Sequence, residues 1–434
     1  MAAKRDLVEA QTFSRRRLLT AFVSGAPGGQ ELEPTKPMRG VVSGVMLAVL
    51  VVIGSLAWGA LQRDPVGWES NRLVVVKGQG TRYVSLDGVL HPVVNTTSAR
   101  LAVASGQFKV VELSQRVIAD TDRGATIGIV GAPDAPPAAA SLVRDGWTAC
   151  VAEDGVATSV GVDVPTQEGG AVVVEASDAT YVVTGGLRHK VPQDESAVLR
   201  AIGLDTAERL TVPAAWLNLV PQGSDLVRLT MDGAGGPVPS SSPLRDLDVG
   251  TLVRVAGTGT ADRWYVVDDE GDLAPLTTFA AGLYQSSSDA VTMTLAGIGD
   301  ADTSDALAPA DWPQEPVTAV AGDAAPCLVL STGDDPGVEL VSTTEVQSAG
   351  VRVAPGGGAL VLGRSQGEGA GGYALIDETG RQFGLPTVGT EGDDVLARLG
   401  YEPEHVTVVP PAWLDLFEVG PNLTVDAART AVTS

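Results

Sequence analysis

Much of what an enzyme or a nucleic-acid binder needs is scarce in this chain. There are three histidines and two cysteines in 434 residues, and none has the spacing of a zinc site. No Gly-x-Ser-x-Gly elbow is present. Beyond residue 62 only three lysines occur, Lys77, Lys109 and Lys190. None follows glycines in a GxxxxGK[ST] phosphate loop, which excludes a nucleotidase of the standard P-loop type. The net charge of −24 excludes a nucleic-acid binder, because phosphate contacts need clustered Lys and Arg.

The charge is uneven. Residues 1–39 hold seven basic and four acidic groups, a net +3, which leaves −27 in the remaining 395 residues. Between the basic head and the acidic body lie 23 residues without a charge, Gly40 to Gln62, bracketed by Arg39 and Arg63. About 20 apolar residues in a helix cross the hydrocarbon layer, so residues 40–62 read as a transmembrane helix, with Trp58 suited to an interface. The run is longer than the apolar core of a signal peptide and the head before it is long. The head is basic overall, which favours a cytoplasmic amino terminus. Adjacent to the span the count reverses, two basic groups in residues 20–39 against four in 63–82.

In the head, Leu7, Leu18, Leu19, Phe22 and Val23 with Arg15–Arg16–Arg17 read as an amphipathic helix, suited to an inner leaflet, a partner or solvent. Residues 25–37 form a Gly/Pro-containing linker. The two cysteines, Cys150 and Cys327, both lie in the body. An even pair is compatible with a disulfide and also with two buried thiols.

Repetition organises the body. PAAWLNLVPQGSDL (213–226) and PPAWLDLFEVGPNL (410–423) share seven of fourteen positions at an offset of 197. The match extends back through residues 197–216 and 394–413, where Val198, Leu199 and Ile202 parallel Val395, Leu396 and Leu399 on a helix face. Gly203 and Gly400 end that helix, and Pro213 and Pro410 open a second, stopped by Gly223 and Gly420. Trp216 and Trp413 read as core anchors of their units. Four tyrosines, Tyr83, Tyr181, Tyr265 and Tyr373, each begin an apolar strand followed by a Gly-containing turn and a return strand. These are four predicted hairpins. The predicted unit is hairpin, helix, helix, strand. Weaker copies follow Tyr83 (KVVELSQRVI, then RGATIGI) and Tyr265 (LAPADW, ending at Trp312).

The stretches AAASLVRDGWTACVAEDG and AAPCLVLSTGDD hold the cysteines and read as strands of a central domain built from separated parts of the chain. The Gly-rich run 354–372 reads as a flexible connector. His91 and His189 occupy equivalent hairpin positions and read as structural, and His405 reads as a surface residue. Acidic pairs such as Asp268–Asp269 and Asp393–Asp394 mark turns and helix starts. No catalytic, cofactor-binding or metal-binding residue is assigned.

Several segments together carry a resemblance: QTFSRRRLLTAFV in the head, PMRG before the span, LHPVVNTTSARLAV, IGIVGAP, WTAC, and the four tyrosine units. They resemble EccB, a membrane component of the type VII (ESX) secretion system of actinobacteria. The resemblance implies a cytoplasmic amino terminus, a single pass and an extracytoplasmic body. It also implies a disulfide at Cys150 and Cys327, assembly with EccC, EccD and EccE in the inner membrane, and self-association. The expected fold is α+β and β-rich: a transmembrane helix, then four repeat domains around a central β-rich domain. The expected boundaries are 1–39 for the head, 40–62 for the span and 63–434 for the body. Within the body they are about 70–130, 176–232, 250–318 and 355–425 for the repeats, and 138–175 with 320–350 for the centre. The expected function is a structural subunit supporting export of small helical proteins. An ATPase role within the complex, by which some family descriptions name it, and a peptidoglycan-binding module are the alternatives. No cofactor is expected.

Overall fold

The computed structural model describes residues 4–24, 37–61, 66–192, 195–256, 262–286, 288–333, 336–345, 348–364, 371–386 and 390–432. The linker 25–36 lies outside the described residues. Two compact units emerge, Met1–Pro65 and Val66–Ser434.

The first unit holds helix α1 (Lys4–Ser24) and helix α2 (Pro37–Leu61). The span Met38–Gly59 within α2 is long and apolar enough to cross a membrane, and it is exposed along its length. Among the described residues it is the one helix that meets this condition.

The second unit contains four copies of one sheet. In each, three antiparallel strands are followed by a helix, and a fourth strand returns parallel to the first. The first three strands are Arg72–Val76, Arg82–Leu86 and Val89–Pro92 in unit one, and Ala171–Ala176, Ala179–Thr184 and Leu187–Lys190 in unit two. They are Leu252–Val255, Arg263–Val267 and Leu273–Leu276 in unit three, and Ala359–Gly363, Gly372–Ile376 and Arg381–Leu385 in unit four. The helices that follow are Thr96–Ala102, Glu195–Ala201, Thr278–Leu283 and Thr390–Leu399. The parallel strands are Val110–Leu113, Arg209–Thr211, Val291–Met293 and Thr407–Val409.

Only then does a second, short helix form, at Gln115–Ala119, Ala214–Leu217, Leu295–Ile298 and Pro411–Leu414. The predicted components are present, but a strand stands between the two helices. In units two and four the reason is local: RLTV and VTVV place β-branched residues between a helix-ending glycine and a proline. In unit one the helix is Thr96–Ala102, capped by the Asn95 side chain on the Ser98 amide, while KVVELSQRVI supplies the fourth strand and the short helix. In unit three the short helix is Leu295–Ile298, and Trp312 lies beyond it. The chain then runs beside the third strand in every unit, through Arg123, Gln222, Thr303 and Glu418.

The turns fall into two pairs. Units one and two use two-residue turns, Asp87–Gly88 and Gly185–Gly186, with φ positive at all four positions, as the twist of a tight hairpin requires. Units three and four use longer turns closed by a buried aspartate. Asp268 accepts from the Asp272 amide, and Asp377 accepts from Thr379 N, Thr379 Oγ1 and Arg381 N. The Gly-rich run is not only a connector. Its segment Ala359–Gly363 is the inner strand of unit four, with Ala359, Leu360 and Val361 fully buried; residues 365–370 of the run lie outside the described residues.

The central sheet has six strands in the order Gly350–Val353, Gly155–Val160, Trp147–Ala152, Ala325–Ser331, Gly337–Thr343, Gln167–Glu168. Trp147–Ala152 and Ala325–Ser331 are antiparallel neighbours in which Cys150 faces Cys327. The two cysteines are joined in a disulfide across 177 residues of sequence. Constraining a loop that long in the unfolded chain stabilises by roughly 5 kcal/mol in the chain-entropy picture. Replacing both cysteines by serine should therefore lower the urea midpoint of the body without changing its strand content, measured by circular dichroism. An unchanged midpoint would contradict the staple.

Candidate functional site: a tryptophan-anchored central sheet

Side chains alternate across a strand, so each sheet offers two faces. On the central sheet one face carries Cys150, Cys327, Ala157 and Val341. The other carries Trp147, Ala149, Val160, Leu328, Leu330 and Leu340. Trp216 from unit two and Trp413 from unit four both enter the core on this second face, and all three tryptophans are fully buried. Phe417 meets Trp147 edge to face at 5.7 Å between ring centroids. The two repeated tryptophans are therefore more than anchors of their own units: they fix two units to a common sheet.

They are not equivalent chemically. Trp216 Nε1 donates to the Ala149 carbonyl at 3.0 Å. Among the described residues, Trp413 Nε1 is buried without a partner.

The same alternation extends the stack. Val172, Val174 and Val183 of unit two face the central core, while Ala171, Val173 and Val182 face a core shared with Phe279, Leu283 and Trp312 of the unit-three segment. In unit four, Val361, Ala374 and Ile376 face the centre, and Leu360, Leu375 and Phe383 face a core shared with Leu101 of unit one. The order of packing is thus one, four, centre, two, three. It differs from the order in sequence.

Units one and four are joined by arginines at the ends of facing helices. Arg100 donates to the Leu399 carbonyl, and Arg398 donates to the carbonyls of Leu101 and Val103. Arg429 adds two bonds to the Ala102 carbonyl. Each helix thus has its open C-terminal carbonyls satisfied by its neighbour's cation, which also complements the helix dipole. Sequence reasoning missed this clamp, although Ala-Arg-Leu occurs at 99–101 and again at 397–399. In the two–three pair no such bond is needed at Gly282. A Cβ there would lie 2.9 Å from the Ala201 carbonyl, so the helices meet backbone to backbone.

The four predicted tyrosines occupy equivalent strand positions but do not converge. Tyr83, Tyr181, Tyr265 and Tyr373 are half-buried, each against a different core. His91 and His189 are structural: their Nδ1 atoms bond the carbonyls of Ala125 and Ser224 at 3.0 and 2.8 Å. Their rings cover Gly124 and Gly223, where a Cβ would meet the ring within 2.1 and 2.6 Å. Gly420 likewise lies under Phe383. Gly223 and Gly420 are therefore required by an overlying ring rather than by the end of a helix. His405 sits in a short 3-10 turn, its Nδ1 accepting from the Glu402 amide. Asp268, Asp269 and Glu270 cluster at the unit-three turn, where Asp268 closes the loop. Lys77 and Lys109 flank strands, and Lys190 is the last residue of one.

Beside His189, the Asp311 carboxylate accepts from the Ser224 amide at 2.7 Å. Desolvation raises the Asp311 carboxyl, but the Ser224 hydrogen bonds and the nearby His189 outweigh it and hold the group below the ordinary carboxylate range.

The geometry defines a body of repeated units whose two cysteines and central tryptophans are committed to packing. The chain belongs to the family described as "Type VII secretion system ESX-1, transport TM domain B", which it matches over residues 1–434. The "ESX-3 secretion system ATPase EccB3" of Mycobacterium tuberculosis H37Rv is 26% identical, over 89% of this chain and 81% of that protein. The "ESX-1 secretion system ATPase EccB1" of Mycolicibacterium smegmatis MKD8 is 27% identical, over 80% and 74%. Among solved structures, a chain of an intact ESX-5 inner membrane complex aligns with TM-score 0.68 at 21% identity, covering 100% of this chain and 96% of that one. A chain of the EccB3 dimer from the ESX-3 core complex aligns with TM-score 0.67 at 23% identity, covering 83% and 100%. These likenesses establish the fold.

Two predictions follow from the geometry. Trp216→Phe should destabilise the body more than Trp413→Phe, by about 1 kcal/mol, because only Trp216 loses a hydrogen bond; paired urea melts measure the difference. Asp311 contributes stability above its unfolded pKa and loses it as pH falls through its depressed folded value. The stability gap between wild type and Asp311→Asn should therefore close below about pH 4, as thermal melts across pH 2.5–6 would show.

Proposed function

We propose that this chain is a structural subunit of a type VII (ESX) secretion complex of the inner membrane, supporting export of small helical proteins. The observation that carries this reading is the layered body. Two units pack on a disulfide-stapled sheet and carry the other two on their far faces, in a chain that also holds one helix long and apolar enough to span a membrane and is matched along its whole length by the family. A basic head favours the cytoplasmic side for the amino terminus. A disulfide favours an oxidising compartment, hence a periplasmic body. EccC, EccD and EccE homologues are the partners, and self-association accompanies assembly.

The curated relatives carry "ATPase" in their names, so hydrolysis is the second reading. The sequence contains no lysine phosphate loop to support it.

A tagged full-length chain, extracted from its native membrane in mild detergent, should co-purify with EccC, EccD and EccE homologues, and its deletion should stop export. A lone monomer, with export intact after deletion, would sink the proposal. ATP hydrolysis with magnesium that survives contaminant controls would favour the second reading. Protease added outside spheroplasts should degrade the body and spare the head.

A further inference from the structure

We propose that helix α1 is a membrane-surface helix. Its apolar face lies on the anionic lipid headgroups of the leaflet from which α2 enters the bilayer. The reading concerns the lipid as ligand and holds on either side of the membrane.

The first observation is exposure. Phe22, Val23 and Leu18 are 94%, 84% and 72% exposed, and Leu7, Val8 and Leu19 are exposed as well. A helix of 21 residues that leaves so many large apolar side chains bare has an unfilled face. The second is arrangement. At 3.6 residues per turn, Leu7, Val8, Leu18, Leu19, Phe22 and Val23 fall within about 160° of the helix circumference; Phe13 falls outside this arc. Glu9, Asp6, Arg17 and Thr20 lie opposite.

The third is charge. Lys4 and Arg15 lie inside the apolar arc, and Arg5 and Arg16 lie at its edge. Long basic side chains in that place bury their stems and reach up to phosphate oxygens. A protein groove of apolar residues would have to bury those charges. A lipid surface does not. Each cation near an anionic surface adds about 1 kcal/mol, close to fivefold in binding.

The fourth is reach. Twelve residues separate Ser24 from Pro37, where α2 begins. Fully extended, that connection spans at most about 45 Å. A bilayer is therefore always within reach of α1, at the high local concentration that a short tether provides. A weakly binding face is then sufficient.

The test uses the full chain in lipid nanodiscs. Its own cysteines are disulfide-bonded, so one introduced cysteine takes a fluorophore cleanly. Gln11 lies within the apolar arc and Thr20 half a turn away on the opposite face, so Gln11→Cys and Thr20→Cys form a matched pair. With about one-third phosphatidylglycerol, the label at 11 should be quenched by doxyl lipids several-fold more than the label at 20. That contrast should fall when the bilayer is zwitterionic, at high salt, and in the Arg15→Gln, Arg16→Gln, Arg17→Gln triple variant. Equal quenching at both positions would overturn the proposal. So would quenching indifferent to lipid charge, or shielding of position 11 that appears only when other secretion-complex proteins are added. The last outcome would make the face a protein-docking surface. None of these outcomes depends on whether the body is a scaffold or a hydrolase.

Discussion

Everything in the body rests on the pairing of Trp147–Ala152 with Ala325–Ser331. These strands come from opposite sides of units two and three, yet they are hydrogen-bonded neighbours, and the disulfide locks their register. One face of the resulting sheet receives tryptophans from two units, and those units receive the other two on their far faces. Two further strand pairs join the same parts of the chain, Gly155–Val160 with Gly350–Val353 and Gly337–Thr343 with Gln167–Glu168. The loop-closure cost is large, because 177 residues separate the cysteines. The chain meets that cost with a covalent bond and with a core of unusually large side chains.

The repeat is one fold used with two kinds of neighbour. Units two and four expose an apolar face on each side of their sheets and so become inner layers. Units one and three form the ends of the stack. The inner valines illustrate how alternation in a single strand settles this. In Ala171–Ala176, even-numbered valines turn to the centre and the odd-numbered Val173 turns to unit three.

The hairpins were legible because turn chemistry is local: two positive-φ residues demand Asp-Gly or Gly-Gly in units one and two, and a single positive-φ glycine marks the longer turns of units three and four. The twin tryptophan helices were legible because two close copies survive. The order of elements within the unit was less so. The parallel fourth strand is only three or four residues long and has no turn signal of its own. The Gly-rich run concealed the strand Ala359–Gly363 because composition alone outweighed its five-residue apolar core. The arginine clamp was invisible for a different reason. Its donors and acceptors are about 300 residues apart, and nothing local marks an arginine as bonded to a distant helix end. The two tryptophans were recognised, but their destination was not, since a buried ring does not state which sheet it is buried against.

The clamp between Arg100, Arg398 and Arg429 also has a topological meaning. Unit one is the part of the body nearest the membrane helix in sequence, but it packs on unit four, the last repeat. Oriented hydrogen bonds to carbonyls at facing helix ends thus join the first repeat of the chain to the last. The body is closed on itself through the two repeats farthest apart in sequence, so neither can be removed without uncovering a face of the other.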